Sequence, residues 1–239
     1  MTEIAIAGPR VPRALARTAA RTLGNVFLGV ALGLTVYYTV TNIRASVSQR
    51  TLRGELDSLG AVSAARPERL LESDGKPVLD FSGWAEQDRA YWLGVPDGGI
   101  FGRLVIPGMA LDTVVVKHAT RATLKRGPGW IGFTDLPGPT GNVGISGHRT
   151  TFGAPFRRLD VLAAGDTIDF YSPYRRYRYR VVRTFQVTPD RVDVVAHTEE
   201  PMLTLTACHP PYSARYRLIV QAILDDVRVL ADAPAPGKQ

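Results

Sequence analysis

The segment Leu203-Thr204-Leu205-Thr206-Ala207-Cys208-His209-Pro210 carries the only cysteine of the 239-residue chain. Its apolar-polar alternation predicts a strand. Pro210 and Pro211 must end that strand, because proline offers no amide to a ladder. Arg217 then opens Arg217-Leu218-Ile219-Val220, which predicts a second strand returning antiparallel beside the first. A cation beside a thiol favours the thiolate, and a guanidinium can hold a developing oxyanion. A single cysteine cannot close an internal disulfide and supplies one soft ligand where a structural zinc site needs several. The pattern points to a nucleophile, against the alternative of a buried cysteine serving as a small hydrophobe.

Four histidines could partner the thiol. His209 is its neighbour in sequence, but adjacent strand residues face opposite ways. His118 and His197 lie in polar, turn-like stretches with no special company. His148 ends the glycine-rich apolar run Asn142-Val143-Gly144-Ile145-Ser146-Gly147-His148, where Gly144 and Gly147 permit close backbone approach. It is the best candidate of the four. Arg215 would share a strand face with Arg217, so alternation alone does not separate the two.

The elements that must position these groups are mostly strands. Short β-branched runs at Leu104-Val105-Ile106 and Thr113-Val114-Val115-Val116 are bounded by turn residues. Residues 167–171 and 177–187 predict a hairpin turning through Ser172-Pro173-Tyr174. Phe156, Leu159 and Leu162 suggest one helix over 154–163. Many short strands with turn signals between them predict a mainly β barrel or sandwich with one or two short helices. In Tyr174-Arg175-Arg176-Tyr177-Arg178-Tyr179-Arg180 the even-numbered arginines share one face and Tyr177 and Tyr179 the other. That reads as a solvated face over a half-buried one, and no nucleic-acid partner is expected.

The net charge of +7 is uneven. Residues 1–21 hold Arg10, Arg13, Arg17 and Arg21 against Glu3, and residues 22–43 carry no Asp, Glu, Lys, Arg or His. As a helix that stretch spans about 33 Å, enough to cross a bilayer core. Tyr37 and Tyr38 sit near one end, where amphipathic rings favour the interface. A cleaved signal peptide is the rival reading; the long basic start and the poor cleavage site at Ala45-Ser46-Val47 argue against it. Gly29 and Gly33 form a GxxxG that could pair helices. The expected organisation is a basic cytoplasmic segment over 1–21, an anchor over 22–43 among membrane lipid, an extracellular stalk or linker over 44–98, a catalytic domain over 99–226 and a flexible tail over 227–239. Leu52, Leu56 and Leu59 suggest one helical face in the stalk, ended by the small and polar residues 61–67. A lone exported thiol is unusual, because exported cysteines generally pair, and this supports a reactive Cys208.

Taken together, these segments resemble a family. Leu203-Thr204-Leu205-Thr206-Ala207-Cys208 resembles the TLxTC signature of sortases, the cysteine transpeptidases of Gram-positive cell surfaces. Gly147-His148-Arg149-Thr150-Thr151-Phe152-Gly153-Ala154-Pro155-Phe156 is similar to the histidine motif of their class E members in actinobacteria. The run from Cys208 through Ser213-Ala214-Arg215-Tyr216-Arg217-Leu218-Ile219-Val220 is similar to that class's cysteine-to-arginine segment. Leu104-Val105-Ile106-Pro107 and Arg126-Gly127-Pro128-Gly129 match further landmarks in the same order. One departure is Ala207, where the family usually has threonine.

The resemblance implies a closed eight-stranded sortase-type β-barrel behind an N-terminal transmembrane helix. It implies that Cys208 attacks the Thr–Gly carbonyl of an LAxTG- or LPxTG-like sorting signal to give a thioester. His148 would serve as acid and base, and Arg217, directly ahead of the apolar triplet, would stabilise the oxyanion. The acceptor would be an amine of a peptidoglycan precursor or a pilin. Thr206, Ala207, Val192 and Val194 would line the signal, the valines from a loop over 188–201. No cofactor and no metal are expected. An L,D-transpeptidase would show a serine-histidine-glycine-cysteine cluster, which is missing. The other alternative is a membrane-tethered, non-catalytic β-domain that binds cell-wall polymers.

Overall fold

A computed structural model describes residues 13–58 and 77–230. The expectations for Arg10, for Leu59 and residues 61–67, and for the tail beyond 230 lie outside the described residues. The chain divides into two units, residues 1–40 and 41–239.

Helix α1, Arg13–Ser58, supplies what is described of the first unit. From residue 17 to 40 its side chains are exposed all round, with Leu23, Phe27, Leu28 and Leu34 each more than half accessible. The helix is long and apolar enough to cross a membrane, with a mean hydropathy of 1.6 over its most apolar window. It does not stop at Ile43 but runs on to Ser58.

The second unit is a closed barrel of β1 Ile100–Ile106, β2 Leu111–Val116, β3 Gly129–Trp130, β4 Asn142–Ser146, β5 Thr167–Tyr171, β6 Arg175–Val187, β7 Met202–His209 and β8 Tyr216–Val229. The order around it is β1-β2-β3-β4-β7-β8-β6-β5. β2/β3 and β4/β7 are parallel pairs; the other neighbours are antiparallel. The mainly β expectation holds, as does the β5–β6 hairpin, in which Ser172 Oγ accepts from the amides of Tyr174 and Arg175 at 3.1 and 2.9 Å. The two-residue β3 was too short to leave a pattern.

Inward positions fill one core: Leu104, Ile106, Ile145, Tyr177, Tyr179, Leu205 and Val220 are all within 1% of full burial. Gly102 is required by closeness, since a Cβ there would lie 2.4 Å from the Phe170 ring. The helix expected over 154–163 does not form. Phe152, Gly153 and Ala154 have φ of +52°, +77° and +45°, which no right-handed helix accommodates. A 3-10 turn, Leu159–Val161, follows instead. Phe156, Leu159 and Leu162 still reach the core, because a three-residue spacing suits turns of that tighter kind.

The segments expected as a stalk pack on the barrel. Leu52 and Leu56 of α1 join Ile100, Val114 and Val116 in a second apolar cluster. Gln49 accepts from the Val114 amide at 2.9 Å and donates to the carbonyls of Val114 and Arg126 at 3.1 and 2.9 Å. A side-chain amide thus stands in for a strand partner along β2. Further on, a π-helical turn, Ala85–Arg89, leads into α2, Ala90–Gly94. Trp92 is fully buried against Phe101, with ring centroids 5.4 Å apart. Arg175 holds this segment: its guanidinium meets the Asp88 carboxylate, Gln87 Oε1, and the carbonyls of Asp80 and Ser82.

The remaining arginines of the basic run alternate with buried tyrosines as expected, but they are not a free cationic face. Arg176 pairs with Asp226, Arg178 with Asp169 at 2.7 Å, and Arg180 with Asp225 at 2.6 Å.

Arg175 and Asp88 are both fully buried, so losing one partner strands the other. Arg175→Met should cost about 3–5 kcal/mol of stability. Asp88→Asn should cost less, because burial already raises the Asp88 pKa and makes its charge expensive. Chemical denaturation of the two variants measures the difference.

Candidate active site

Two adjacent ladders bring the candidate residues together. On one side of β7 the antiparallel register with β8 sets Cys208 opposite Arg217. On the other, the parallel register with β4 pairs Ser146 with Thr206, and the Gly147 amide donates to the Thr206 carbonyl at 3.1 Å. His148 follows two residues after Ser146, just past the end of β4, and Cys208 two residues after Thr206 on β7, so both lie toward the same end of the barrel. Gly147 cannot carry a side chain here: a Cβ would lie 2.7 Å from the Phe156 ring. The Phe156 amide in turn donates to the His148 carbonyl at 3.0 Å.

Cys208 is a free thiol and half-buried. The His148 ring packs 5.1 Å from Phe152, and burial lowers its pKa from the usual 6.5. The imidazole is therefore neutral at neutral pH. Arg217 Nη1 donates to the carbonyls of Ala214 and Tyr216 at 3.1 and 3.3 Å. Both partners are uncharged, so the guanidinium has no carboxylate to neutralise it among the described residues. Arg215 lies before β8 begins, is exposed, and stacks over Tyr216 at 5.2 Å. The structure thus separates two arginines that alternation could not.

A groove of about 240 Å³ lies on the outer face of the sheet, reaching Arg217, while neither Cys208 nor His148 lines it. Thr206, Arg217, Val192 and Val194 line it, as do Ser146, Ile131, Phe133 and Ile219. The expected loop folds over the outer face of β7 and β8 as a 3-10 turn, Asp193–Val195. It is tied by the Val194 carbonyl, which accepts from Asn142 Nδ2 at 3.1 Å and Gln221 Nε2 at 2.9 Å. Ile131 and Phe133 were not anticipated, because their segment precedes β4 and reaches the groove only through the parallel β4–β7 pairing. A larger recess of about 560 Å³ beside Trp84 and Trp130 contains none of Cys208, His148 or Arg217.

Three expectations need correction. Ala207 does not line the groove: it is 2% exposed and belongs to the core, because strand neighbours face opposite ways. His118 is not without company, since its Nδ1 meets Asp97 at 2.7 Å and its ring stacks on Trp130. His197 faces Asp135 at 3.1 Å. Neither is near Cys208 in the β-ladder. Among the described residues no three His, Cys, Asp or Glu side chains gather as a metal site would require.

Two consequences can be measured. Threonine at position 207 would add a hydroxyl and a methyl to a packed interior, so Ala207→Thr should lower stability by about 1–3 kcal/mol without raising turnover; faster turnover at an unchanged melt would reveal a missing donor instead. For His148, the unfolded ring titrates near 6.5 and the folded ring lower. Below pH 6.5 the unfolded chain takes up a proton that the folded one refuses, so this group's contribution to stability falls as pH falls. His148→Gln should flatten the acid side of a melting-temperature profile relative to the parent.

Comparison with known proteins agrees with this geometry. A sortase domain model matches residues 104–225, just over half of the chain. Sortase SrtE1 of Streptomyces coelicolor is 29% identical over 217 residues, which cover 84% of this chain and 56% of that protein. Sortase SrtE2 of the same organism is 27% identical, covering 89% of this chain and 85% of that one. The chain spans little more than half the length of SrtE1 and of a Bacillus anthracis sortase A. The crystal structure of sortase E1 from Streptomyces coelicolor with a tripeptide in its active site superposes with a TM-score of 0.53 at 27% identity, covering 55% of this chain and 91% of that one. Sortase E from Streptomyces avermitilis gives 0.51 at 28%, covering 59% and 97%. With a closed barrel and a family model matching more than half of its length, the chain belongs to the sortase family, whose members are cysteine transpeptidases.

Proposed function

We propose that this protein is a membrane-anchored, class E-like sortase that cuts the Thr–Gly bond of an LAxTG- or LPxTG-like signal and passes the acyl group to an amine. The observation that supports the reading is the pairing of Cys208 with Arg217 across β7 and β8, with His148 just beyond the end of β4, the other neighbour of β7. The chemistry follows from their states. A neutral, half-buried His148 takes the thiol proton as the Cys208 sulfur attacks the threonine carbonyl carbon. Arg217, with no carboxylate partner among the described residues, faces the negative charge that develops on the carbonyl oxygen. The C–N bond to glycine breaks, and His148 returns its proton to the departing amine. An incoming amine then attacks the thioester, loses a proton to His148, and releases the sulfur. Burial makes the imidazolium costly, so it gives its proton up readily, first to the departing amine and finally to the released sulfur.

Thr206, Val192 and Val194 would contact the signal, with the exposed Phe133 extending the apolar wall. Surface proteins or pilins bearing the signal and a peptidoglycan-precursor amine are the proposed partners. The exposed apolar stretch of α1 supports an anchor, and the four arginines in its leading segment support an internal N-terminus with the barrel outside.

Mixing the full chain in detergent with an LAxTG peptide and a simple amine tests this by mass spectrometry. The expected products are a thioester on Cys208 and an amine-exchanged peptide. Cys208→Ala should abolish both, and His148→Ala and Arg217→Ala should each lower turnover at least about 100-fold, while Arg215→Ala should do far less. Full activity in Cys208→Ala would end the proposal.

A further inference from the structure

The β4–β7 ladder gives out just before the residues that matter. Its last bond is from the Gly147 amide to the Thr206 carbonyl, and His148 and Cys208 both lie beyond it. The next link between the two strand ends is made by a side chain. Arg149, which follows His148, is 2% exposed along its side chain. Its Nη1 donates to Nδ1 of His209, which follows Cys208. Its Nη2 meets Asp160 Oδ2 at 2.8 Å, and its Nε donates to the Arg157 carbonyl at 3.4 Å. One planar guanidinium therefore joins the residue after the histidine, the residue after the cysteine and the far end of the loop between them.

We propose that the Arg149–His209 contact is a clamp that holds His148 in register with Cys208, making both residues positioning groups for the transfer reaction. The inference rests on the reading of Cys208 and His148 as the reacting pair. The geometry argues for position rather than direct chemistry. His209 follows Cys208 on β7 and so points to the opposite face, and the buried Arg149 guanidinium is engaged with His209, Asp160 and the Arg157 carbonyl. The fork shape matters, because a guanidinium can donate to His209 and Asp160 at once in fixed directions, which an ammonium cannot. Arginine can only donate, so His209 Nδ1 is the acceptor in this contact. The segment being held also needs holding: Phe152, Gly153 and Ala154 all sit in the left-handed region, and nothing in their local preference keeps His148 in place.

The test uses the full chain in detergent with Arg149→Met, His209→Leu and His209→Asn, the last offering an amide oxygen in place of Nδ1. Arg149→Met and His209→Leu should each lower kcat for peptide transfer about 10- to 100-fold with little change in KM, as misplacement of a reacting group does. His209→Asn should retain most of the wild-type rate. Alkylation of Cys208 by iodoacetamide at neutral pH gives a readout independent of transfer. Loss of positioning should slow it several-fold, because the base no longer meets the thiol, whereas simple loosening of the fold would expose the sulfur and speed it. Faster alkylation in Arg149→Met, or equal damage from His209→Leu and His209→Asn, would overturn the clamp. If wild-type alkylation were indifferent to His148→Ala, the reacting pair itself would be overturned, and the clamp with it.

Discussion

Strand β7 is hydrogen-bonded on both sides, parallel to β4 and antiparallel to β8, and the rest of the site follows from that arrangement. A strand held on two edges cannot slip without breaking two ladders. Because side chains alternate, a slip of one residue would turn Cys208 into the core and Ala207 out to the groove. The core enforces the register from within, since Leu203, Leu205 and Ala207 are all buried among β8 residues. The thiol's neighbouring strands are therefore set by backbone hydrogen bonds: β8 follows β7 after a short loop, whereas β4 lies far before both in sequence.

The outer face of β7 changes character along its length. At Thr204 it is fully buried, with its hydroxyl bonded to Asn142 Oδ1 at 2.8 Å under the 193–195 turn. At Thr206 it opens into the groove, and at Cys208 it is half-buried. Asn142 and Gln221 tie the covering turn down through its Val194 carbonyl, so the groove wall is held by satisfied polar groups. A sheet that was covered everywhere would present no groove, and one that was open everywhere would leave Thr204 and Gln221 facing water without shape.

The segments outside the family-matched region do structural work of a related kind. Gln49 completes the hydrogen bonding of β2, and the turn over residues 80–88, which brings Trp92 into the core, supplies two carbonyls, an amide oxygen and a carboxylate to Arg175. Asn42 Oδ1 accepts from the Gly153 amide at 2.9 Å, so the loop that carries His148 is touched from the helix as well as from the barrel. These contacts explain why residues 41–58 and 77–98 join the compact unit rather than trailing as a linker.

Much of this was legible in the chain itself. The lone thiol stopped by two prolines, the glycines ahead of His148 and the alternating runs single out the candidate groups and the strand class, because those are properties of a residue and its immediate neighbours. The 22–43 stretch declares an apolar helix by the absence of charge. What local pattern does not carry is adjacency between distant strands. The parallel β4–β7 pairing brings Ile131 and Phe133 to the groove, the start of β8 after Arg215 separates it from Arg217, and the path of the chain between Gly147 and Asp160 lets Arg149 reach His209. The same limit hid the packing of Gln49 and Arg175, whose partners lie more than sixty residues away. Composition and period decide which face is apolar; only closure of the barrel, where each backbone group must find a partner, decides which strands lie side by side.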